Sequence, residues 1–384
     1  MASAPFEVPT PTPAAAGVRT TTLALYSPDL PPVRGGVADH TLLLARALVA
    51  AGARVAVLGL EGEPERFRPV PVLTGVTPSG RGHGLAESAR QIGAGAVLVQ
   101  YVPFLFARFG LAPSLVAALG DLRRAGVRVG LFVHEPYVPF TRPVWWLTGP
   151  PMRWQFRALV RRADVVFAAV PTFLERARRV ARPATRLVPA PVGATIQAAA
   201  FSRAEARAAL GLAETEIAVG VFSPRASGAR PEWLAHAGAA LAPAGVRWVF
   251  FGAGSDQRPA GFPAEARARC LGWLDPADTS RVFRALDVAA APFEDGLTLR
   301  RTSAMAALAH GVPLVSSRGP LFDGSLEAAA VCATSPAEFA AAIGRLAANP
   351  AARAAQGRSG LEWYEARGSI DVLARLVRAE LATP

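Results

Sequence analysis

Hydrophobic and polar positions along this chain alternate in blocks whose lengths predict short buried strands and amphipathic helices in turn. The first block has an apolar run at 22–26, a Pro-rich loop that ends in Gly35 and Gly36, a helical stretch that stops at Gly52, and a second apolar run at 54–60. Short apolar runs joined by segments of helical periodicity are typical of parallel strands with crossover helices. The block therefore predicts a βαβ unit at the start of a doubly wound sheet.

The same alternation continues through the rest of the chain, with a break between about 189 and 202 that resembles a linker. Before the break, strands are predicted at 96–102, 128–134, 164–170 and 186–192, and helices at 113–125, 151–163 and 172–181. After it, strands are predicted at 216–223, 246–252, 268–273, 288–292, 313–316 and 328–333, and helices at 231–241, 275–286, 303–310 and 336–348. A last helical stretch covers 351–381, with an interruption near Gly368.

Two such series predict an α/β protein with two Rossmann-like domains, and 384 residues suffice for two cores. We expect the first domain at 19–195 and the second at 196–361. Residues 1–18 are rich in Pro, Ala and Thr and are predicted to form a flexible tail, because they carry too little apolar surface to order themselves.

Composition narrows the class of protein. Hydrophobic residues make up 51% of the chain and charged residues 18%, and no apolar run reaches the length of about 20 residues that crosses a bilayer. The start shows no secretory signal pattern, and the two cysteines, Cys270 and Cys332, have no metal-like spacing. These features predict a cytoplasmic protein without a cysteine metal site.

The formal charge is +12, and all 41 basic residues are arginine. A GC-rich genome alone produces such usage, but the absence of lysine also excludes a Walker-type phosphate lysine and a Schiff base. The positive charge suits phosphate-bearing ligands or an anionic membrane surface. No nucleic-acid motif accompanies it, so nucleic acid is not an expected partner.

Two loops are candidates for phosphate binding. Gly35 and Gly36 stand at a helix entrance, where free N–H groups and the helix dipole favour an anion. The second loop, 293–303, has a turn at Asp295 and Gly296. Its phosphate donors would be Arg300 and Arg301, with Thr302 or Ser303 capping the following helix. The structural alternative is a solvated arginine pair on an ordinary loop.

Two segments make the chain similar to the GT-B glycosyltransferases of the retaining group-1 type, now called family 4. The early segment reads Pro31-Pro-x-x-Gly-Gly-Val-Ala-Asp39; the late one reads Gly296-x-x-x-Arg300-Arg-x-Ser303, followed by Ala309-His-Gly-Val-Pro-Leu-Val315. The resemblance covers nearly all of 19–384. It implies two Rossmann-like domains facing across a cleft, with a nucleotide-sugar donor held mainly by the second domain and an acceptor by the first. It also implies a C-terminal helix, about 362–384, that returns to the first domain.

One departure from the family concerns two glutamates eight positions apart. Alignment on Ala309-His-Gly-Val-Pro313 places Thr298 and Ala306 at those positions, so neither carboxylate is present. Glu294 and Asp295 lie close enough to supply a carboxylate if the loop is re-routed. A subset of the family looks similar to the Gly-x-x-x-Arg-Arg-x-Ser form, so inactivity does not follow.

The resemblance also implies roles for residues at predicted strand ends of the first domain. His134 stands where the family commonly has a histidine that touches the donor sugar, and Glu135 and Tyr137 follow it as acceptor candidates. A strand-end histidine bonded to backbone is the structural alternative. His40, on the first helix, stands near the position of a base in inverting GT-B relatives, although we favour a polar residue on the helix surface.

In the second domain, Arg225 replaces cations that the family places on the diphosphate, and Gly252 and Gly254 match a family turn near the nucleotide base. Those glycines equally fit a simple strand end.

In the first domain, the segment Trp145–Arg157 joins aromatic residues and arginines. It suits a membrane interface that meets a lipid-linked acceptor, an acceptor pocket, or core packing.

The resulting hypothesis is a GT-B glycosyltransferase that moves a sugar from a nucleotide diphosphate to an acceptor hydroxyl with retention. Arg300, Arg301 and helix-end amides would stabilise the departing diphosphate, and His134 would touch the sugar. The nucleotide-sugar is a substrate, so no cofactor and no essential metal are expected. The acceptor is left open among a glycan, a lipid-linked molecule and a small molecule.

The alternatives to a glycosyltransferase are a GT-B sugar-nucleotide epimerase and a degenerate GT-B subunit that only binds or assembles. A peripheral position at the inner membrane face is also compatible with the charge.

Overall fold

The computed structural model describes residues 21–33, 35–78, 83–138, 143–225 and 228–382. The predicted tail at 1–18 lies outside these residues. The described chain divides into two compact units: the first contains 21–191 and 370–382, and the second contains 192–369.

The first unit is built on a parallel sheet. Its strands in the described residues are β1 (Thr22–Tyr26), β2 (Val55–Leu58), β3 (Val72–Leu73), β4 (Ala94–Tyr101), β5 (Arg128–Val133), β6 (Val165–Ala168) and β7 (Arg186–Pro189). They pair in the order β3-β2-β1-β4-β5-β6-β7. The order reverses between β1 and β4, which is the switch point where doubly wound sheets bind ligands at the carboxyl ends of their strands.

Helices cover both faces of this sheet, as buried apolar strands require. They are α1 (Gly36–Ala50), α2 (Leu85–Gln91), α3 (Pro103–Phe106), α4 (Pro113–Arg124), α5 (Pro143–Val160) and α6 (Pro171–Arg178). The inner strands β2, β1, β4, β5 and β6 are buried almost throughout, whereas the edge strands β3 and β7 are partly exposed, so the core lies on the two sides of the inner sheet.

The second unit repeats this design. Its described strands are β8 (Ala218–Phe222), β9 (Arg247–Phe251), β10 (Ala268–Cys270), β11 (Val288–Ala291), β12 (Leu314–Ser317) and β13 (Ala330–Ala333), in the parallel order β10-β9-β8-β11-β12-β13. Its helices are α7 (Arg203–Ala209), α8 (Pro231–Leu241), α9 (Pro276–Ala285), α10 (Thr302–Ala309), α11 (Pro336–Ala348) and α12 (Pro350–Trp363). The switch point lies between β8 and β11.

The last described helix, α13 (Ile370–Leu381), belongs to the first unit although it follows the second in sequence. It packs on α1, and the side chain of Leu381 lies over Gly130 of β5. A Cβ on Gly130 would stand 2.6 Å from a Leu381 methyl, so the glycine provides the space that this helix occupies. A π-helical turn at Tyr364–Gly368 separates α12 from α13, at the predicted interruption.

In each sheet, an aspartate just before the start of an inner strand pairs with nearby arginines. Before β6, Asp164 accepts from the Val129 amide at 2.9 Å and from Arg123 at 2.7 Å. Before β11, Asp287 accepts from the Ala218 amide at 2.9 Å and from Arg207 at 3.1 Å. The second pair is almost fully enclosed, with 5% and 4% of the side chains exposed. These clusters stabilise the sheet edges at the amino ends of the strands, opposite the edges where doubly wound sheets bind ligands.

Arg207 and its neighbours enclose Asp287 further. The Arg207 guanidinium also donates to the carbonyl oxygens of Ala285 and Glu216, at 3.0 and 2.6 Å. Arg203 donates to the other carboxylate oxygen at 2.8 Å. The carboxylate therefore satisfies donors from β8 and α7 together, in an interior where an unpaired charge is costly.

Several elements differ from the sequence prediction. Helix α5 begins at Pro143 rather than at Pro151, so Pro150 and Pro151 lie inside it. A proline is typical of a helix start because its missing N–H is harmless there, but here the helix continues through both prolines, and Met152 and Phe156 beyond them are buried. Strand β3 and helices α2, α3 and α7 were missed; α7 has a recognisable capping box at Ser202 and Glu205.

Candidate functional site

The loop after β1 leaves an open helix entrance in the first unit. Gly35 is the N-cap of the 15-residue helix α1, without a side-chain cap, and its φ of 176° is extended backbone. A Cβ on Gly35 or Gly36 would meet no described atom within 4 Å. Backbone conformation therefore does not require these glycines; what they provide is room beside the first amides of the helix.

A histidine pair lies at the same edge. His134 follows β5, and its Nε2 lies 2.7 Å from Oε1 of Gln100, a buried residue of β4. The ring of His40 stands edge-on to His134 at 5.0 Å and tilted against Phe132 at 5.2 Å. His40 is buried, so the predicted position on the helix surface is wrong: the first turn of α1 lies directly over the strand ends.

These contacts fix what His134 offers a ligand. Burial, and then the neighbouring His40, hold the pKa of His134 well below its ordinary value, and burial lowers the pKa of His40 to about 4. Both rings are therefore neutral near pH 7. Because Gln100 presents a carbonyl oxygen to Nε2, that nitrogen donates, and Nδ1 of His134 is left as an acceptor suited to a hydroxyl.

The other first-unit candidates follow His134 in the same loop. Glu135 is exposed, and Tyr137 is half-buried. The guanidinium groups of Arg153 and Arg176 lie over the Tyr137 ring, at 4.4 and 5.1 Å from its centroid. The tyrosine ring is therefore held by cations, and its position depends on α5 and α6 as well as on its own loop.

In the second unit, the arginine pair shares one carboxylate. Arg300 and Arg301 both pair with Asp295, one on each carboxylate oxygen. Their side chains are only 23% and 11% exposed, which contradicts the alternative of a solvated pair. Arg301 also lies over the ring of Phe293, 4.3 Å from its centroid. Asp295 therefore holds both guanidinium groups in place.

The charge state of Asp295 follows from these neighbours. Burial alone would raise its pKa, but the charges of Arg301 and Arg300 and their hydrogen bonds together lower the pKa below its ordinary value. The carboxylate is ionised near neutral pH. Asp295 is thus committed to the arginines, and Glu294, which is exposed, is the neighbouring carboxylate that faces solvent.

Loops from neighbouring strands support this cluster. The Glu294 amide donates to the carbonyl of Gly228 at 2.7 Å, and the Arg230 amide donates to that of Pro292 at 3.1 Å. The Gly228 Cα lies so close to the Arg301 guanidinium that a Cβ there would stand 3.0 Å from Nη2. The loop after β8 is therefore in direct contact with the loop after β11, at the switch point.

Gly296 has a structural reason to be glycine. Its φ is 87°, and a Cβ would stand 2.6 Å from the backbone nitrogen of Gly319, which follows β12. Ser317 closes the same junction, since its Oγ accepts from the Phe293 amide at 2.6 Å and donates to the Phe293 carbonyl at 2.7 Å. The sequence analysis did not identify Ser317 or Gly319. The signal available for them was a serine and a glycine at the end of a predicted strand.

The start of α10 differs from the prediction. The helix begins at Thr302 with Arg301 as N-cap, and no side-chain cap bond is present, so neither Thr302 nor Ser303 is the cap. A guanidinium cannot accept a hydrogen bond, so the first-turn amides have no acceptor from their own cap. Thr298 is fully buried, with its Oγ1 unpartnered among the described residues.

The remaining candidates lie at the end of β9. Gly252 and Gly254 have φ values of 84° and 75°, and Cβ atoms there would overlap Phe222 and Arg225, at 2.5 and 2.9 Å. Turn conformation and close packing against the end of β8 and the loop after it thus account for both glycines. Arg225 is exposed beside Gly254.

Comparison with known proteins agrees with this architecture. The model of glycosyltransferase family 4 matches residues 34–194, and the model of glycosyl transferases group 1 matches residues 215–349, so that the two together take in most of the chain. No curated protein matches the sequence. The chain belongs to the group 1 glycosyltransferases of the GT-B fold.

Solved structures share the fold at low sequence identity. Sucrose-phosphate synthase from Thermosynechococcus elongatus is 18% identical with a TM-score of 0.64, over 93% of this chain and 97% of that one. HepE from Anabaena, in complex with UDP and glucose, is 16% identical with a TM-score of 0.69, over 95% and 100%. WaaG, a glycosyltransferase involved in lipopolysaccharide biosynthesis, is 13% identical with a TM-score of 0.62, over 94% and 99%.

Proposed function

We propose that this protein transfers a hexosyl group from a nucleoside-diphosphate sugar to an acceptor hydroxyl, with retention of configuration. The observation that carries the proposal is the cluster of Arg300, Arg301 and Asp295 at the switch point of the second unit, beside the first turn of α10. The solved complexes of HepE with UDP and with UDP-glucose make a UDP-sugar the first donor to examine. Polysaccharide synthesis is one setting for such a transfer.

The cluster suits the departure of a diphosphate. Negative charge develops on the diphosphate oxygen as its bond to the anomeric carbon of the donor sugar breaks, and forked guanidinium donors stabilise it. Because Asp295 already orients both arginines, little reorganisation is needed when the charge appears. On the first unit, the neutral His134 would accept a hydrogen bond from a sugar hydroxyl through Nδ1, and the amides beside Gly36 would attract anionic groups.

Donor binding is the direct test. We expect one class among UDP-, GDP-, ADP- and dTDP-sugars to raise the melting temperature by several degrees at about 100 times its Kd, because a ligand that binds only the native state stabilises it by about 2.7 kcal/mol at that concentration. Transfer is then followed by mass spectrometry of acceptors incubated with that donor, and the anomeric configuration is read by NMR. Absence of a shift with all four classes would overturn the proposal.

A second candidate is a subunit that binds a donor without transferring its sugar. Thr298 stands at the position of the first family glutamate. It is fully buried and carries no charge, so it does not replace that carboxylate. Donor binding without transfer or donor hydrolysis, across glycan, lipid-linked and small-molecule acceptors, would favour this candidate over the enzyme.

We also propose that the transfer needs no resident metal, because guanidinium groups and helix amides meet the diphosphate charge. Activity is expected to be unchanged after dialysis against EDTA, measured as product formed with the donor that shows the thermal shift. Activity that disappears with EDTA and returns with Mg²⁺ or Mn²⁺ would contradict this expectation.

A further inference from the structure

Helix α5 presents an apolar face to solvent. Leu147 is 79% exposed and Trp146 and Trp154 are each 64% exposed, although its residues Met152 and Phe156 are buried. Pro150 and Pro151 lie between the exposed groups and are exposed themselves. Single exposed apolar residues are common, but several large ones along one helix indicate a surface that meets a partner.

The neighbouring segment 103–112 adds to this face. Gln155 of α5 holds the segment in place, since its side chain donates to the Gly110 carbonyl at 3.0 Å and accepts from the Ala112 amide at 2.5 Å. The segment exposes 46% of Phe104 and 64% of Phe109. Two segments that pack on each other thus both carry exposed large apolar side chains.

The charged residues of this face are all basic. Arg108 and Arg157 are exposed on the two segments, and Arg161, directly after α5, is exposed as well. The sequence has no aspartate or glutamate in 101–120 or in 136–163. Tryptophan and phenylalanine beside arginine, without acidic residues, are what a negatively charged lipid headgroup layer binds.

The backbone of α5 indicates how deep such a contact goes. Proline has no N–H, so the carbonyls of Trp146 and Leu147 receive no helical hydrogen bond from Pro150 and Pro151. Two prolines inside a helix interrupt its backbone hydrogen-bond ladder, which suits a helix at the level of the headgroups better than one in the hydrocarbon core. Within the described ranges, no helix combines the length and apolar character that a membrane crossing requires. A helix of this kind lies in the interface.

We propose that α5 and the segment 103–112 form a docking surface for a bilayer that contains anionic phospholipid. The apolar side chains enter the headgroup layer, and the arginines bind lipid phosphates. A neutral protein groove would not use the arginines, and a second copy of this chain would bring like charges together. The surface lies wholly in the first unit and is independent of the proposed chemistry.

The test is cosedimentation of the full chain with vesicles of phosphatidylcholine alone and with vesicles that also contain phosphatidylglycerol. We expect binding to the anionic vesicles that weakens with added salt. Leu147→Ser combined with Trp154→Ser should weaken it by at least about tenfold, through lost apolar burial. Arg157→Gln and Arg161→Gln should each weaken it by about fivefold.

Matched controls are Trp273→Ser and Arg345→Gln, which change an exposed tryptophan and an exposed arginine in the second unit. Both should bind vesicles as the wild type does. Melting temperatures equal to that of the wild type show that each variant is folded, and the two arginine variants keep the test valid if the apolar pair does not fold. The proposal is overturned if the wild type does not bind anionic vesicles, or if the α5 variants bind like the controls. It is also overturned if sedimentation velocity shows a dimer that Leu147→Ser dissociates.

Discussion

Replacing Arg301 by alanine is expected to lower the affinity for the nucleotide-sugar donor by about tenfold to a hundredfold, the range that a charged hydrogen bond supplies. The side chain is largely buried, is held by Asp295 and lies over Phe293, so it is already in position before a diphosphate arrives. Arg300→Ala should show a smaller loss, since Arg300 is more exposed. Isothermal titration with the donor found by thermal shift measures both.

Arg318→Ala is the matched control for this pair. Arg318 follows the adjacent strand β12, donates to Glu327 at 2.7 Å and lies over Phe322, but is about twice as exposed as Arg300. Its replacement should leave donor affinity unchanged. Arg301→Lys keeps the charge without the planar fork and should fall between alanine and the wild type. Wild-type affinity in both Arg300→Ala and Arg301→Ala would remove the pair from the donor site.

The largest expected loss of stability comes from Asp287→Ala. The substitution leaves Arg207 enclosed without its carboxylate and the Ala218 amide without its acceptor. Removing one partner of a buried ion pair costs about 3–5 kcal/mol of unfolding free energy. Urea unfolding followed by circular dichroism measures the change, and Asp287→Asn, which keeps an oxygen acceptor, should lose less.

Asp278→Ala provides the comparison, because Asp278 forms an i,i+3 pair with Arg281 and is 44% exposed at the side chain. Exposed pairs contribute at most about 1 kcal/mol. A loss for Asp287→Ala no larger than that for Asp278→Ala would show that the enclosed network does not stabilise the second unit.

The two sheets were predictable because buried parallel strands read as apolar runs separated by helical periodicity. The runs at 22–26 and 288–292 agree closely with β1 and β11. The order of strands within each sheet comes only from the structure, since local sequence carries no pairing information. Short elements such as β3 were missed because two residues give no periodicity to detect.

The sequence predicted which loops carry the candidate site residues, but it did not predict the contacts between their side chains. Glycines, arginines and a histidine after apolar runs mark strand ends, and the structure places them there. The pairing of Asp295 with both arginines depends on backbone supplied by the loops after β8 and β12, including Gly228 and Gly319. The burial of His40 likewise depends on how α1 lies over β5, which its own sequence does not reveal.

The position of α13 determines when the first unit can finish folding. Its core includes Leu381 over Gly130, yet the ribosome makes the entire second unit before it makes that leucine. During synthesis, the apolar side chains of α1 and β5 that α13 covers therefore stay exposed until the 178 residues of the second unit have been made. The core of the first unit is thus completed only after translation has passed through both the second unit and α13.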